Sequence, residues 1–323
     1  MKLSTFTTVT LLSTVGAAPP PGDYGTQPVP LERPDPTVYT SSSSVKTDAL
    51  AIQGALRLAQ YISTSGYPNL ECTMNNAAVR REWSTLSAPE KKAYIAAVQC
   101  LNSKPSKTPL SLAPGAKTRY DDFVATHINQ TLTIHGTVKY LLQPNSFKVN
   151  LGPVAPALSD VSPNGNMSGL GYNPRCLRRD ISRIAASTST SDDQVSTLIT
   201  NFTTFASFST RMQGDFPNGF LGVHTAGHFT VGGDPGGDLF ASPGDPFFYF
   251  HHTMIDRIWW TWQNLDIEKR QYAIGNTITV NNMPPSRNAT LDDVLSLGFL
   301  GVDEITIREA GNTLGGPFCY IYE

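Results

Sequence analysis

All six histidines of this 323-residue chain fall in two groups, and none occurs before His127. His127 and His135 make the first group; His224, His228, His251 and His252 make the second. His224-Thr-Ala-Gly-His228 is an i,i+4 pair. On a helix both imidazoles would leave one face about 6 Å apart, close enough to share a metal ion. The same spacing also occurs between ordinary hydrogen-bonded histidines, and by itself it does not separate the two cases. Zinc hydrolysis is a rival chemistry, but it sets a general base directly after the first histidine. Thr225 holds that place, so a zinc protease is disfavoured.

The run DPFFYFHHTMIDRIWW, residues 245 to 260, adds a further donor. A proline near the start of an aromatic run and two histidines at a helix start precede Asp256, Arg257 and Trp259. On a helix this would bed His252 in apolar surroundings and place a carboxylate one turn away to orient it. Three neutral nitrogen donors without thiolate or carboxylate suit copper or zinc, and redox work favours copper.

Such side chains need helices to present them. Asp48 to Ser63 sets Leu50, Leu56, Ala59 and Ile62 near helical spacing, and Ser87-Ala-Pro-Glu90 is a capping-box signature opening a helix through Leu101. Arg119 to Thr131 reads as another helix. Asp192 to Arg211 reads as one longer helix with Val195, Leu198, Phe202 and Phe205 on a common face. Between Val138 and Tyr172 the chain is rich in Pro, Gly and Asn without a period, and Asn282 to Glu323 is turn-rich with a strand-like end. No internal repeat is present. The expected fold class is mainly α, an antiparallel helical bundle that carries metal ligands inward, with short peripheral strands.

Charged residues make up 15% of the chain, against roughly 25% in an ordinary soluble domain. Net charge is -2 and no long run of like charge occurs, which argues against a nucleic-acid partner. Beyond the N-terminus no apolar run is long enough to span a membrane. Residues 1–17 read as a secretory signal peptide, and 18–45 as a Pro/Ser-rich linker or propeptide ahead of a folded domain at 46–323. Sequons at Asn129, Asn166, Asn201 and Asn288 agree with secretion. Cys72, Cys100, Cys176 and Cys319 lack CxxC spacing and suit two disulfides in an oxidising compartment, in a pairing that spacing leaves open.

Taken together, the HxxxH pair, the 24-residue gap to His252 and the DPFFYFHHxxxDRxWxxWQ string resemble the second copper motif, CuB, of the tyrosinase and catechol oxidase family, in its short secreted fungal form. The resemblance implies His224, His228 and His252 as CuB ligands, with His251 as a neighbour. Upstream, Arg119 to His127 and His135-Gly136-Thr137 resemble the part of CuA that carries its first two ligands, His127 and His135. Arg80-Arg-Glu-Trp83, Asn173-Pro-Arg-Cys176 and the terminal Tyr320-Ile-Tyr322 belong to the same likeness, which runs from about Asp48 to the end. It implies a copper-binding domain at 46–323, with CuA near 119–137 and CuB at 224–262. It also implies two copper ions as cofactor, a small phenolic substrate and O2 as partners, and oxidation of phenols and o-diphenols to o-quinones. Phe229 and Phe250 are candidates for the apolar pocket, or equally for plain core.

One stretch departs from the family. After its His-Gly-Thr the family continues into a helix whose Trp-His-Arg string completes CuA about nine residues on, whereas this chain has Pro144 there and rejoins family-like text near Val149. Ordinary text on both sides reads as a deletion of one bundle helix and a loop. CuA is left with two ligands, because adjacent helix residues point about 100° apart and His251 cannot easily join His252 on one ion. Thr133 stands where many members carry a thioether-forming cysteine, so that bond is excluded. The alternative reading is a secreted copper-binding glycoprotein without oxidase activity; an oxygen carrier is disfavoured, since nothing marks the assembly such proteins form.

Overall fold

The structure, a computed structural model, describes residues 44–65, 71–131, 169–279 and 282–323. Helix α1 (Val45–Ser65) buries Thr47, Ala51, Gly54 and Leu58, a stripe at spacings of three and four. Its first turn is capped from outside: the Asp192 carboxylate accepts from the backbone N of Lys46 and Thr47, each at 2.9 Å. α2 (Ala88–Ser103) opens on the expected capping box of Ser87 and Glu90. α3 (Arg119–Gln130) opens on another, between Thr118 and Asp121. Each box satisfies backbone donors that a helix start leaves unpaired.

α4 (Arg183–Ser189), α5 (Asp192–Asn201) and α6 (Phe205–Gln213) follow. The single helix expected over Asp192 to Arg211 is therefore two. Thr204 takes an extended conformation and caps α6 by accepting from Ser207 N, while the Phe202 carbonyl leaves the helical ladder to accept from the Trp262 indole at 2.7 Å. Both halves still bury their apolar residues in one cluster, with Val195, Leu198 and Ile199 beside Phe208 and Met212.

α7 (Val223–Val231) and α8 (Phe247–Asn264) carry the second histidine group, and α9 (Ile267–Arg270) and α10 (Ile307–Ala310) are single turns. α8 touches every core cluster. Tyr249 packs on Tyr120, Val124 and Ile128 of α3; Ile258 and Trp262 join α5 and α6; Trp260 meets Leu58 of α1 and Tyr320 and Tyr322 near the C-terminus. Trp260 and Trp262 are essentially fully buried, and truncating either to Ala should cost about 3–5 kcal/mol.

Strands are short and peripheral, as expected. β1 (Ala78–Arg80) pairs in parallel with β4 (Tyr320–Tyr322), and β2 (Val294–Leu295) pairs antiparallel with β3 (Ile305–Thr306). Cys72 and Cys319 form a disulfide beside the first pair. The expected second disulfide is not formed: Cys100, on the exposed side of α2, and Cys176, ahead of α4, are free surface thiols. Among the described residues no helix is long and apolar enough to cross a membrane. Asn129, Asn201 and Asn288 are exposed, whereas Asn166 and residues 1–43 lie outside the described residues.

Candidate metal centre

α7 starts at Gly222, whose φ of 74° and close packing exclude a side chain: a Cβ would sit 2.4 Å from Gly214 N. This approach sets Gln213, the last residue of α6, against the first turn of α7. Gln213 Oε1 lies 2.6 Å from His224 Nδ1, and its backbone carbonyl accepts from the Thr225 hydroxyl at 2.7 Å. One turn on, His228 Nδ1 lies 3.0 Å from the Gly236 carbonyl. A carbonyl only accepts, so both Nδ1 atoms carry the proton and both Nε2 atoms present a lone pair.

The Nε2 atoms of His224, His228 and His252 converge. His224 to His228 and His228 to His252 are each 3.2 Å, and His224 to His252 is 3.5 Å. Tetrahedral nitrogen ligands about 2 Å from an ion stand roughly 3.3 Å apart, so these three positions fit one ion. Neutral imidazoles suit copper or zinc. His252 is held neutral, its pKa pushed well below the ordinary histidine value by withdrawal from water and then by the neighbouring imidazoles. Phe248 stacks on it, with ring centroids 3.9 Å apart.

His251 is turned to another task. It is buried, and its Nε2 lies 2.8 Å from the His224 carbonyl, to which it donates. Its ring rests on Gly227, where a Cβ would fall 2.1 Å from the imidazole. Burial lowers its pKa to about 4, against the opposing pull of that hydrogen bond. One of its nitrogens lies within 4.8 Å of those of His224, His228 and His252, and its Nε2 is committed to backbone.

His127, on α3, reaches the edge of the same site. Its Nδ1 lies 2.8 Å from the Phe240 carbonyl, and its ring meets Phe248 edge-on at 5.3 Å. His135 and Pro144 lie outside the described residues. Phe248 thus touches both His127 and His252. It sits four residues before His252, on the same helix face, and that spacing was the signal for it. Phe250 instead packs in the core between Trp83 and Tyr94, and Phe229 lies half-buried near Gly237.

Asp256 does not orient His252. Its Oδ2 accepts from Arg80 Nη1 at 3.0 Å and from the Tyr320 hydroxyl at 2.7 Å, and it also bonds the Tyr322 hydroxyl. The Arg80 guanidinium carbon lies over the Tyr320 ring, 3.4 Å from its centroid. The carboxylate fastens the C-terminal strand to α8 because β4 brings two phenols within its reach. A cavity of about 800 Å³ lined by Ala125, Thr126, Phe205 and Trp259 lies elsewhere, and none of the described histidines lines it.

Comparison with known proteins agrees with this geometry. The common central domain of tyrosinase matches residues 142–265. A tyrosinase-like protein of Emericella nidulans is 31% identical over 318 residues, a match taking in 69% of this chain and 84% of the relative. An N-acetyl-6-hydroxytryptophan oxidase of the same organism is 29% identical, over 78% of this chain and 94% of its own length. Among solved structures, a polyphenol oxidase variant from Thermothelomyces thermophila superposes with a TM-score of 0.75 at 30% identity, covering 86% of this chain and 98% of the other. Helix arrangement, clustered imidazoles and similarity over most of the relatives' length place the chain in the tyrosinase family of copper-dependent oxidases.

Proposed function

We propose that the protein is a copper-dependent oxidoreductase of the tyrosinase or catechol oxidase type, oxidising phenols and o-diphenols to o-quinones with O2. The observation that carries this is the triangle of Nε2 atoms from His224, His228 and His252. In this reading those three hold one copper ion, and His127 and His135 belong to a second. Bound copper supplies one-electron redox chemistry and a Lewis-acidic seat for the phenol oxygen. The protein's share is orientation. Gln213 and the Gly236 and Phe240 carbonyls fix the tautomers of His224, His228 and His127, and Phe248 keeps water from one face of His252.

The chain as written is impaired in that role by the loss of a third CuA imidazole. Position 144 is proline, and His251, the one histidine left over, donates to backbone. The match to the tyrosinase-like relative supports a deletion: it runs over 318 residues while taking in only 69% of this chain, so the relative carries stretches without a counterpart here. The same observation favours a second reading, a copper-binding glycoprotein that keeps the CuB centre without oxidase activity.

The domain scheme belongs to the same proposal: a signal at 1–17, a linker or propeptide at 18–45, a copper-binding domain at 46–323, and secretion. The exposed sequons and the Cys72–Cys319 disulfide support it. Copper analysis of the purified protein, together with oxygen uptake on a simple catechol, tests the assignment. Copper bound with slow uptake supports an impaired oxidase; copper bound with no uptake supports the second reading; no copper after loading overturns both.

A further inference from the structure

His127 and His228 stand on different helices, α3 and α7, yet each has a carbonyl partner for its Nδ1 in one segment, residues 232–245; the Thr131 hydroxyl also approaches His127 Nδ1, at the longer distance of 3.3 Å. Gly236 O faces His228 Nδ1 and Phe240 O faces His127 Nδ1. Between these carbonyls lies Asp238, only 2% exposed. Its Oδ1 accepts from the backbone N of Phe240 at 2.6 Å and of Ala241 at 2.7 Å, and its own N donates to Pro235 O at 2.6 Å.

The Ala241 N–H and the Phe240 C=O belong to one peptide unit. Because that unit is planar, with its N–H and C=O pointing in opposite directions, holding the N–H aims the oxygen. The carboxylate therefore grips one side of the peptide whose other side faces His127. The segment is also tied at both ends. Arg178 and Asp234 exchange backbone hydrogen bonds of 3.2 and 2.8 Å. Arg179 clasps Asp245 with bonds of 2.8 and 2.6 Å. Burying a carboxylate here is unfavourable unless its hydrogen bonds compensate, and an apolar side chain of similar size would fill the space at lower cost. The geometry points to Asp238 as a positioning residue: it sets the Phe240–Ala241 peptide so that segment 232–245 holds His127 and His228 in one register. This rests on the reading of both histidines as copper ligands.

The test uses the full chain with Asp238→Asn, which keeps an acceptor oxygen, and Asp238→Val, which keeps the volume without one. In metal-free protein, long-range 1H–15N spectra should show His127 fixed with the proton on Nδ1 in the parent and in Asp238→Asn, and exchanging between tautomers in Asp238→Val. Copper affinity by chelator competition should fall about 10–100-fold in Asp238→Val and be restored in Asp238→Asn. An Asp238→Val protein that melts cooperatively yet keeps the parent's tautomer and affinity overturns the assignment. If Asp238→Val does not fold, hydrogen exchange of the parent decides: protection at Phe240 and Ala241 should rise on copper loading, and unchanged protection overturns the proposal. A parent that binds no copper refutes the ligand reading instead, and the metal-free tautomer readout still tests Asp238.

Discussion

An imidazole has two nitrogens, and around α7 and α8 the direction of each ring decides which one is left for a metal. His224 and His228 give Nδ1 to protein oxygens and turn Nε2 inward, whereas His251 gives Nε2 to the His224 carbonyl. On the proposed assignment, His252→Ala should abolish copper binding, while His251→Gln, which still presents an N–H donor, should hold about one copper per chain by elemental analysis. Equal losses in the two variants would refute it. pH separates them as well. The folded His251 titrates near 4, below its unfolded value of about 6.5, so over that window the unfolded state binds the extra proton. Stability from the neutral, buried ring is therefore present above about pH 6.5 and lost as pH falls toward 4, at about 1.4 kcal/mol per pH unit. Buried carboxylates such as Asp234, raised to about 7 by burial despite Arg175, shift the opposite way and mask this in the parent alone. The difference in unfolding free energy between metal-free parent and His251→Gln removes them, and it should move against the parent by on the order of 3 kcal/mol between pH 7 and 4. A constant difference, read from urea melts, would refute the neutral burial of His251.

At the scale of elements, what sequence made legible was whatever a local pattern determines. The stripe of α1, the Ser87 and Thr118 caps and the i,i+4 spacing of His224 and His228 depend on neighbours within a turn or two. The break between α5 and α6 does not. Its cause includes the Trp262 indole, sixty residues away, while the apolar positions on both sides still fit one helical face. Asp256 was misread for a related reason: spacing along α8 pointed to His252, but two phenols arriving on β4 claim the carboxylate. Likewise the i,i+4 spacing of His224 and His228 says nothing of why Gly227 stands between them: the His251 ring lies on it, where a Cβ would not fit. The strand that holds Asp256 is locked by Cys72–Cys319, which spans 247 residues of sequence. Replacing both cysteines with serine should lower stability by about 2–5 kcal/mol in urea melts. Thiol titration of the denatured, unreduced protein should find the two free thiols, Cys100 and Cys176, and reduction should add two more. Finding no free thiols would contradict the structure.

For the whole molecule, the imbalance between its two histidine groups determines what the chain should do. Removing two electrons from a catechol gives a quinone, and reducing O2 to two waters consumes four, so two catechols are oxidised per O2. A pair of copper ions matches the two-electron step; a single ion exchanges one electron at a time. The α7–α8 site offers three converging imidazoles, but the α3 side offers His127 at the edge of Phe248 and a sequence with proline where the family has its third histidine. On the proposed assignment CuA has two imidazoles, with which an ion would be weakly held and open to water, so the chain as written should oxidise catechol slowly or not at all. Inserting a family-like helix after Thr137 should recover the rate, read as oxygen uptake after equal copper loading. The inserted helix should also raise copper content from about one to about two per chain, which separates restored chemistry from improved folding. Equal rates from the two proteins would mean that the second ion is dispensable, or that a group other than a sixth imidazole completes its site.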